Sequence, residues 1–371
     1  MRVGLVIYGS LATLSGGYLY DRQLVEHLRA MGDQVEIISL PWRSYPTHLA
    51  QNFSSALARR VAGLQVDLLL QDELNHPSLF LFNHRLRRQA RFPLVSIVHH
   101  LRSSERHPPA ARWLYRLVER SYLRTIDGFV FNSHTTQAAV AALLGRSVEG
   151  VVAYPGGDRF GEGLPPAVIS ERAREPGPLR LLFVGNVIPR KGLHTLLSAL
   201  AGVSKSDWRL HVVGRTDVDP RYCAELQAFV QTHGLEDRVR FLGMLSEERL
   251  QAEWTVSHVL VVPSQYEGFG IVYLEGFSFG LPAVATDGGA APEIITDGVD
   301  GFIVPPESPQ ELAAKLALLA SDRVRLAGMS LAARRRFSAF PTWQQSAARI
   351  RAYLANDLLR SPAPHSIRTA L

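Results

Sequence analysis

The sequence predicts an α/β fold made of two Rossmann-like, doubly wound parallel-sheet domains in series. Short apolar runs rich in branched residues alternate with helical patterns from the first residue onward, the signature of parallel strands joined by helical crossovers. The alternation stops once, in the polar, proline-containing stretch 156–178, and then begins again. A chain of 371 residues is also too long for one ordinary core and suits two domains of typical size.

Taken in order, the runs 3–8, 34–40, 66–70, 94–98, 128–131 and 150–153 are the strands of the first domain, with helical patterns such as 18–31 and 135–144 between them. The second series is 179–184, 208–213, 239–242, 259–262, 282–285 and 301–304. Helical segments 322–337 and 343–359 follow, and the residues from Ser361 read as a frayed end. The expected division is residues 1–160, a linker at 161–178, a second domain at 179–342, and a last helix with its tail at 343–371. Two such sheets leave a cleft in which a ligand can touch both domains.

Hydrophobic residues at 46% and charged residues at 20% are the balance of a soluble globular protein. One cysteine, Cys223, excludes an internal disulfide and fits a reducing cytoplasm, the expected location. The first residues carry a cation and a short apolar run, but they lack a small-residue cleavage site and lead into a glycine loop, so they read as a buried strand. No apolar run reaches the roughly 18 residues of a membrane-spanning helix.

The net charge of +6 is unevenly placed: between Arg85 and Arg124 ten arginines, Arg91 among them, stand against two acids, Glu105 and Glu119. Arg112, Arg116, Arg120 and Arg124 recur every four residues and draw a basic stripe on a helix, flanked by Trp113, Leu114, Leu117, Val118 and Leu123. Such a helix either lies on anionic lipid, as a peripheral contact on the inner face of a membrane, or packs its apolar side on the sheet with the arginines in solvent. Both readings stand at this point. No nucleic-acid partner is expected.

Two segments carry the chemistry. Gly185-Asn-Val-Ile-Pro-Arg-Lys-Gly192 follows the first strand of the second series, and Glu267-Gly-Phe-Gly-Ile-Val-Tyr-Leu-Glu275 follows the fourth. Glu267 falls in the loop at a strand's carboxyl end and Glu275 in the first turns of a helix read at 270–280, so both can line the crevice where open α/β sheets bind ligands. The amides of Gly268, Phe269 and Gly270, expected to be exposed, add a helix start that suits an anion. Gly16 and Gly17 follow the first strand by the loop 9–15 and precede a helix, and two adjacent glycines let the backbone approach a bulky anion.

These segments resemble those of the retaining, nucleotide-sugar-dependent glycosyltransferases of family 4, which have the GT-B fold, and the resemblance runs over nearly the whole chain. It implies transfer of a hexose-type sugar from a UDP- or GDP-sugar to a hydroxyl of a glycan or lipid-linked acceptor, with no cofactor and no metal. In that family the first glutamate of the pair contacts the donor sugar and the second the ribose, roles that fall on Glu267 and Glu275. The phosphate-binding lysine just before a glycine is Lys191. Many members carry arginine directly after the first glycine of that motif; here it is Asn186, and Arg190 is the substitute cation.

The same resemblance places His99, the first residue after strand 94–98, where a histidine contacts the donor sugar and the reacting centre, with His100 in reserve. Arg215 takes a position close to the nucleotide, and Gly243 and Met244 positions where the backbone meets the base. The glycine loop at 288–293 matches an element that opens a short helix facing the donor, although Glu293 reads more plainly as a first-turn acid. In GT-B proteins the last helix crosses back onto the first domain, which is expected from Trp343. The leaving phosphate takes the acceptor's proton in retaining members, so Glu267 positions hydroxyls instead of acting as the nucleophile a glycosidase would use.

Competing readings are a sugar-nucleotide epimerase or a glycosyl phosphorylase on paired sheets, a dinucleotide-dependent oxidoreductase, and a non-catalytic binding module. The loop from Gly9 to Gly17 is not Gly-x-Gly-x-x-Gly, which weighs against the oxidoreductase, and the intact glutamate pair weighs against the module. Asp217 and Asp219 lie in a turn before Pro220 and are assigned no metal. His99 and His100 are adjacent, so their rings point apart, and the sequence supplies no third ligand beside them.

Overall fold

The computed structural model describes residues 1–360 except 14, 91, 205 and 206, so the end from Ser361 and the Arg91 cation lie outside the described residues. The chain forms two compact units: Met1–Pro155 together with the segment from Thr342, and Gly156–Pro341.

In the first unit β1 (Arg2–Tyr8), β2 (Gln34–Leu40), β3 (Leu68–Asp72), β4 (Leu94–Val98), β5 (Gly128–Phe131) and β6 (Gly150–Val152) pair in parallel in the order β2-β1-β3-β4-β5-β6. Every residue of β3, β4 and β5 is buried, which is why their apolar residues fall on both faces and do not alternate with polar ones. Val6, Leu69, Val98, Phe129 and Phe131 share one core with Leu79, Tyr122 and Val140 from the helices. The strand order reverses between β1 and β3, the topological switch point of this sheet.

β3 runs two residues past its apolar pattern, because its pairing carries Gln71 and Asp72 into the sheet opposite Val6 and Ile97. Gln71 exchanges two amide hydrogen bonds with Asn83, at 3.0 and 2.9 Å, which offsets the cost of burying it. Gly16 and Gly17 open the helix Gly16–Ala30 as its first two residues and do not merely precede it. Helix Trp343–Ala352 begins on a capping box of Thr342 and Gln345 and packs against Gly16–Ala30. Tyr20 meets Trp343 edge-on, and Arg351 Nε lies 2.7 Å from Asp33 Oδ2.

The second unit pairs β7 (Leu179–Val184), β8 (Trp208–Val213), β9 (Val239–Gly243), β10 (Val259–Val261), β11 (Ala283–Thr286) and β12 (Gly301–Val304), all parallel, in the order β12-β11-β10-β7-β8-β9. The chain starts mid-sheet at β7, winds outward to β9, and returns to the other side of β7 at β10. The switch point therefore lies between β7 and β10. The loops that follow these two strands are pressed together: Gln265 N donates to the Arg190 carbonyl at 2.8 Å. Gly192, at φ +72°, has no space for a Cβ, which would stand 2.0 Å from the Pro263 carbonyl oxygen.

The stretch expected to be a structureless linker holds a helix, Pro166–Arg174, that belongs to this second unit. Its apolar stripe is only Ile169 and Ala173, too short to register among polar neighbours. The third buried residue is Arg172, whose guanidinium donates to the carbonyls of Trp254, Thr255, Phe279 and Gly280.

Gly192→Ala is expected to lower the melting temperature well beyond Gly298→Ala, whose φ is +74° but whose Cβ would meet nothing within 4 Å. Backbone strain alone costs about 1–2 kcal/mol at either position, and only the first adds a collision with a carbonyl. Thermal denaturation followed by circular dichroism measures the difference; equal losses would show that the β7 and β10 loops separate freely.

Candidate active site

Lys191 closes the turn Pro189–Lys191 after β7, and Glu267 sits in the loop after β10. Although 76 residues apart, Lys191 Nζ and Glu267 Oε2 meet at 2.5 Å, with both side chains mostly buried. Ser264 Oγ donates to the same carboxylate oxygen at 3.2 Å, and Arg190 Nη1 donates to the neighbouring Tyr266 carbonyl at 2.9 Å. Burial pushes the Glu267 carboxyl up, but the Lys191 and Arg190 charges and the two hydrogen bonds outweigh it and hold the group below the usual carboxylate range.

The backbone of Glu267 is fixed as firmly as its side chain. Its N–H donates to Gly288 O at 2.8 Å and its carbonyl accepts from Ala290 N at 2.9 Å. At Gly289, φ +112°, a Cβ would lie 2.1 Å from the Glu267 carbonyl oxygen. The Gly288–Gly289 loop thus straps Glu267 in place, besides leading into the short helix Ala291–Ile294 with Glu293 in its first turn.

Helix Ile271–Ser278 starts after Gly270 and buries Glu275. Burial pushes the Glu275 carboxyl up, opposed by Arg159, whose Nη1 stands 3.6 Å from Glu275 Oε1. Sequence reasoning missed Arg159, because it lies in the pattern-free stretch 156–178 and falls within the expected first domain, whereas it belongs to the second unit. Gly268, Phe269 and Gly270 are buried, not exposed as expected, because the Phe269 ring packs inward near Phe340, 6.4 Å between centroids.

The loops after β7, β8 and β9 are laced by backbone bonds, Gly185 N to Val213 O, Val187 N to Arg215 O and Gly214 N to Gly243 O, each 2.9 Å. That lacing gathers Asn186, Arg215, Gly243 and the exposed Met244 at one end of the sheet. The Arg215 side chain is exposed and bound in a fork by Asp217, both distances 3.0 Å. Asp219 caps helix Pro220–Thr232 by accepting from Tyr222 N, so the acidic pair is divided between an ion pair and a cap.

In the first unit His99 follows β4 and is buried, with Nε2 3.1 Å from Oδ1 of the fully buried Asp21. Asp21 comes from the helix Gly16–Ala30, one turn beyond Gly17, and a Cβ on Gly17 would sit 3.2 Å from the His99 ring. The missing side chain at Gly17 therefore makes room for the imidazole. Asp72, at the end of β3, completes a buried set with Asp21 and His99, so the third ligand-type group that the sequence did not supply is present in space. Glu73, His76 and Glu119 form a second such set. Burial raises Asp72 well above the usual carboxylate range and Glu73 to about 7, so these sets hold protons near neutral pH and a cation would have to displace them. His100 Nε2 lies 3.0 Å from Glu105 Oε1, apart from the Asp21 pairing.

A cavity of about 820 Å³ lined by Arg2, Phe53, Val66, Phe82, Arg85 and Phe92 opens where β1 begins, the end of the sheet away from His99 and the wrong end for ligands in open α/β sheets.

Burial alone would push His99 down, but Asp21, with Asp72 and Glu73, raises it from 6.5 to about 9. A histidine raised on folding contributes stability that is complete below its unfolded pKa and is lost as pH rises through the folded one. The melting temperature is therefore expected to fall between about pH 6.5 and pH 9, and Asp21→Asn is expected to flatten that slope and move the His99 titration downward in a histidine NMR series. An unmoved titration would remove Asp21 as the cause.

Comparison with known proteins agrees with this fold. Residues 168–336 match the family described as glycosyl transferases group 1, and residues 29–157 the glycosyl transferase 4-like domain. The GDP-mannose-dependent alpha-(1-6)-phosphatidylinositol monomannoside mannosyltransferase of Mycobacterium tuberculosis is 28% identical over 267 residues, 68% of each chain. The phosphatidyl-myo-inositol mannosyltransferase of Mycobacterium leprae is 29% identical over 88% of this chain and 89% of its own. Among solved structures, sucrose-phosphate synthase from Thermosynechococcus elongatus superposes with TM-score 0.82 at 22% identity, covering 95% of this chain and 98% of its own. Anabaena HepE in complex with UDP and glucose superposes with TM-score 0.78 at 20% identity over 96% and 99%. With both sheets wound as they are, and with glycosyltransferase family models matching each half of it, the chain is a glycosyltransferase of the family 4 type with the GT-B fold.

Proposed function

We propose that the chain transfers a hexose-type sugar from a UDP- or GDP-sugar to a hydroxyl of a glycan or lipid-linked acceptor, with retention at the anomeric carbon. The observation that carries this reading is the Lys191–Glu267 pair at the β7/β10 switch point, a cation and a carboxylate side by side where such sheets take nucleotides. The relatives support the donor class, one being named as GDP-mannose-dependent and one structural neighbour holding UDP and glucose.

As the bond between the anomeric carbon and the phosphate oxygen breaks, its electron pair goes to the diphosphate, and preorganised cations lower the cost of that charge. Lys191 and Arg190 take this role in the second unit. The acceptor oxygen forms the new bond on the same face and its proton passes to the leaving phosphate, so neither a metal nor a protein nucleophile is needed. Glu267, kept ionised by Lys191, accepts hydrogen bonds from the sugar hydroxyls. Glu275 takes the ribose, Gly243 and Met244 the base, and His99 is the first unit's candidate for the reacting centre.

The helix Pro109–Leu123 supports a peripheral membrane contact on the cytoplasmic side. Its buried face is Val118, Glu119, Tyr122 and Leu123, whereas Trp113 is 67% exposed and Leu114 and Leu117 are exposed beside it. The apolar flank is thus split, and the exposed part lies among Arg112, Arg116, Arg120 and Arg124, a pattern that suits anionic lipid. No helix among the described residues is long and apolar enough to cross a membrane.

Lys191→Ala and Glu267→Ala are each expected to lower sugar transfer by about 100- to 1,000-fold while circular dichroism stays native; near-native turnover in Lys191→Ala would defeat this account of leaving-group stabilisation. The chain is expected to co-sediment with phosphatidylglycerol vesicles, to be released by salt, and to lose this binding when Arg116 and Arg120 are both changed to Glu. Unchanged sedimentation after that charge reversal would rule the contact out.

A further inference from the structure

The residues just after His99 build a feature that the transfer chemistry does not use. The turn Arg102–Ser104 is held from several sides: Ser103 N donates to Glu119 Oε1 at 3.1 Å, Arg112 Nε donates to Ser103 O at 3.1 Å, and His107 Nε2 lies 3.1 Å from Arg102 O. From this fixed backbone the Arg102 guanidinium extends over two rings, 5.3 Å from the Tyr45 centroid and 4.7 Å from that of Tyr115. The rings brace each other edge-on at 4.8 Å, Tyr115 is backed by His107 at 4.8 Å, and the Tyr45 hydroxyl lies 3.3 Å from His76 Nε2.

Arg102 is exposed, and among the described residues it forms no ion pair with a carboxylate. Arg87 and Arg351 are ordered by an acid, and Arg172 by backbone carbonyls. Here aromatic faces set the direction and leave the fork of N–H donors unspent. Glu73 and Glu119 are the carboxyls packed beneath, and burial raises both, Glu73 to about 7, which mutes the negative field that would repel an anion. Glu105 is held by His100 and His107.

We propose that Arg102, clamped between Tyr45 and Tyr115 at the carboxyl end of β4, binds a phosphate ester carried by the acceptor. This rests on the proposed transfer reaction, and it assigns the acceptor to the first unit because Lys191, Glu267 and Glu275, the groups proposed for the donor, lie in the second. A guanidinium already fixed in place matches two phosphate oxygens with two parallel bonds and loses little rotamer freedom on doing so. The clamp thereby selects acceptors by charge, three residues from the histidine assigned to the reacting centre.

The test uses the full chain, Arg102→Gln and Arg102→Lys, titrated calorimetrically with glucose 6-phosphate and with glucose. Because Lys191 also offers a cation to a phosphate, the series is repeated in Lys191→Ala. Glucose 6-phosphate is expected to bind about 10- to 100-fold more weakly to Arg102→Gln in both backgrounds, with Arg102→Lys intermediate and glucose indifferent to either change. Vesicles of phosphatidylcholine with and without phosphatidylinositol form the second arm. A loss confined to the phosphatidylinositol vesicles identifies a lipid headgroup as the source of the phosphate, and a loss confined to glucose 6-phosphate identifies a soluble ester. If Arg102→Gln matches the native chain with both probes, the proposal is overturned. UDP and GDP binding is measured alongside; a native chain that binds neither nucleotide sinks the transferase reading, whatever the Arg102 series shows.

Discussion

The reversal of winding direction at β7 is the constraint on which the second unit depends. Crossovers leave β7 and β10 toward opposite faces of the sheet, so the loops at their carboxyl ends part and leave a crevice that no helix fills. Two of the chain's close backbone approaches lie there, Gly192 against Pro263 and Gly289 against Glu267. Both contacts draw loops distant in sequence onto the crevice, and they bring a lysine and a glutamate within hydrogen-bonding distance. A looser joint would leave two long side chains to find each other in solvent, where such pairs contribute little.

The ion pair also explains how opposite charges can wait in a half-buried site without a substrate. Each is the other's counter-ion, so neither bears the full cost of leaving water. A nucleoside diphosphate sugar brings anionic oxygens for the lysine and hydroxyl donors for the glutamate, and can replace the pair's mutual bond with two new ones. The first unit solves the same problem differently. His99, Asp21 and Asp72 lie together at the carboxyl end of the central strands β3 and β4, where water barely reaches, and the imidazole faces the two carboxyl groups.

Much of this was legible in the sequence where local rules act. The strands announced themselves because sheets covered on both faces need unbroken apolar runs, and Lys191 and Glu267 stood out because glycines punctuate the turns that present them. Legibility failed where a polar residue is buried with a distant partner. Gln71 and Asp72 belong to β3 but do not look like strand residues, and the Pro166–Arg174 helix hides behind its charges. Asp21 is 78 positions from His99, and no spacing rule connects them. The rings around Arg102 come from residues 45 and 115, joined only by the fold.

Arg172 sets a limit on how the second unit can be isolated. Its four acceptors are the carbonyls of Trp254 and Thr255 in the last turn of helix Glu247–Val256 and of Phe279 and Gly280 just past helix Ile271–Ser278. One guanidinium thus finishes two helices, including the one that carries Glu275. A fragment excised at the first strand of that sheet, near residue 179, would contain every group of the second unit assigned to the donor and yet leave those carbonyls stranded. An autonomous donor-binding half has to be cut upstream of the Pro166–Arg174 helix, at the Pro155–Gly156 junction.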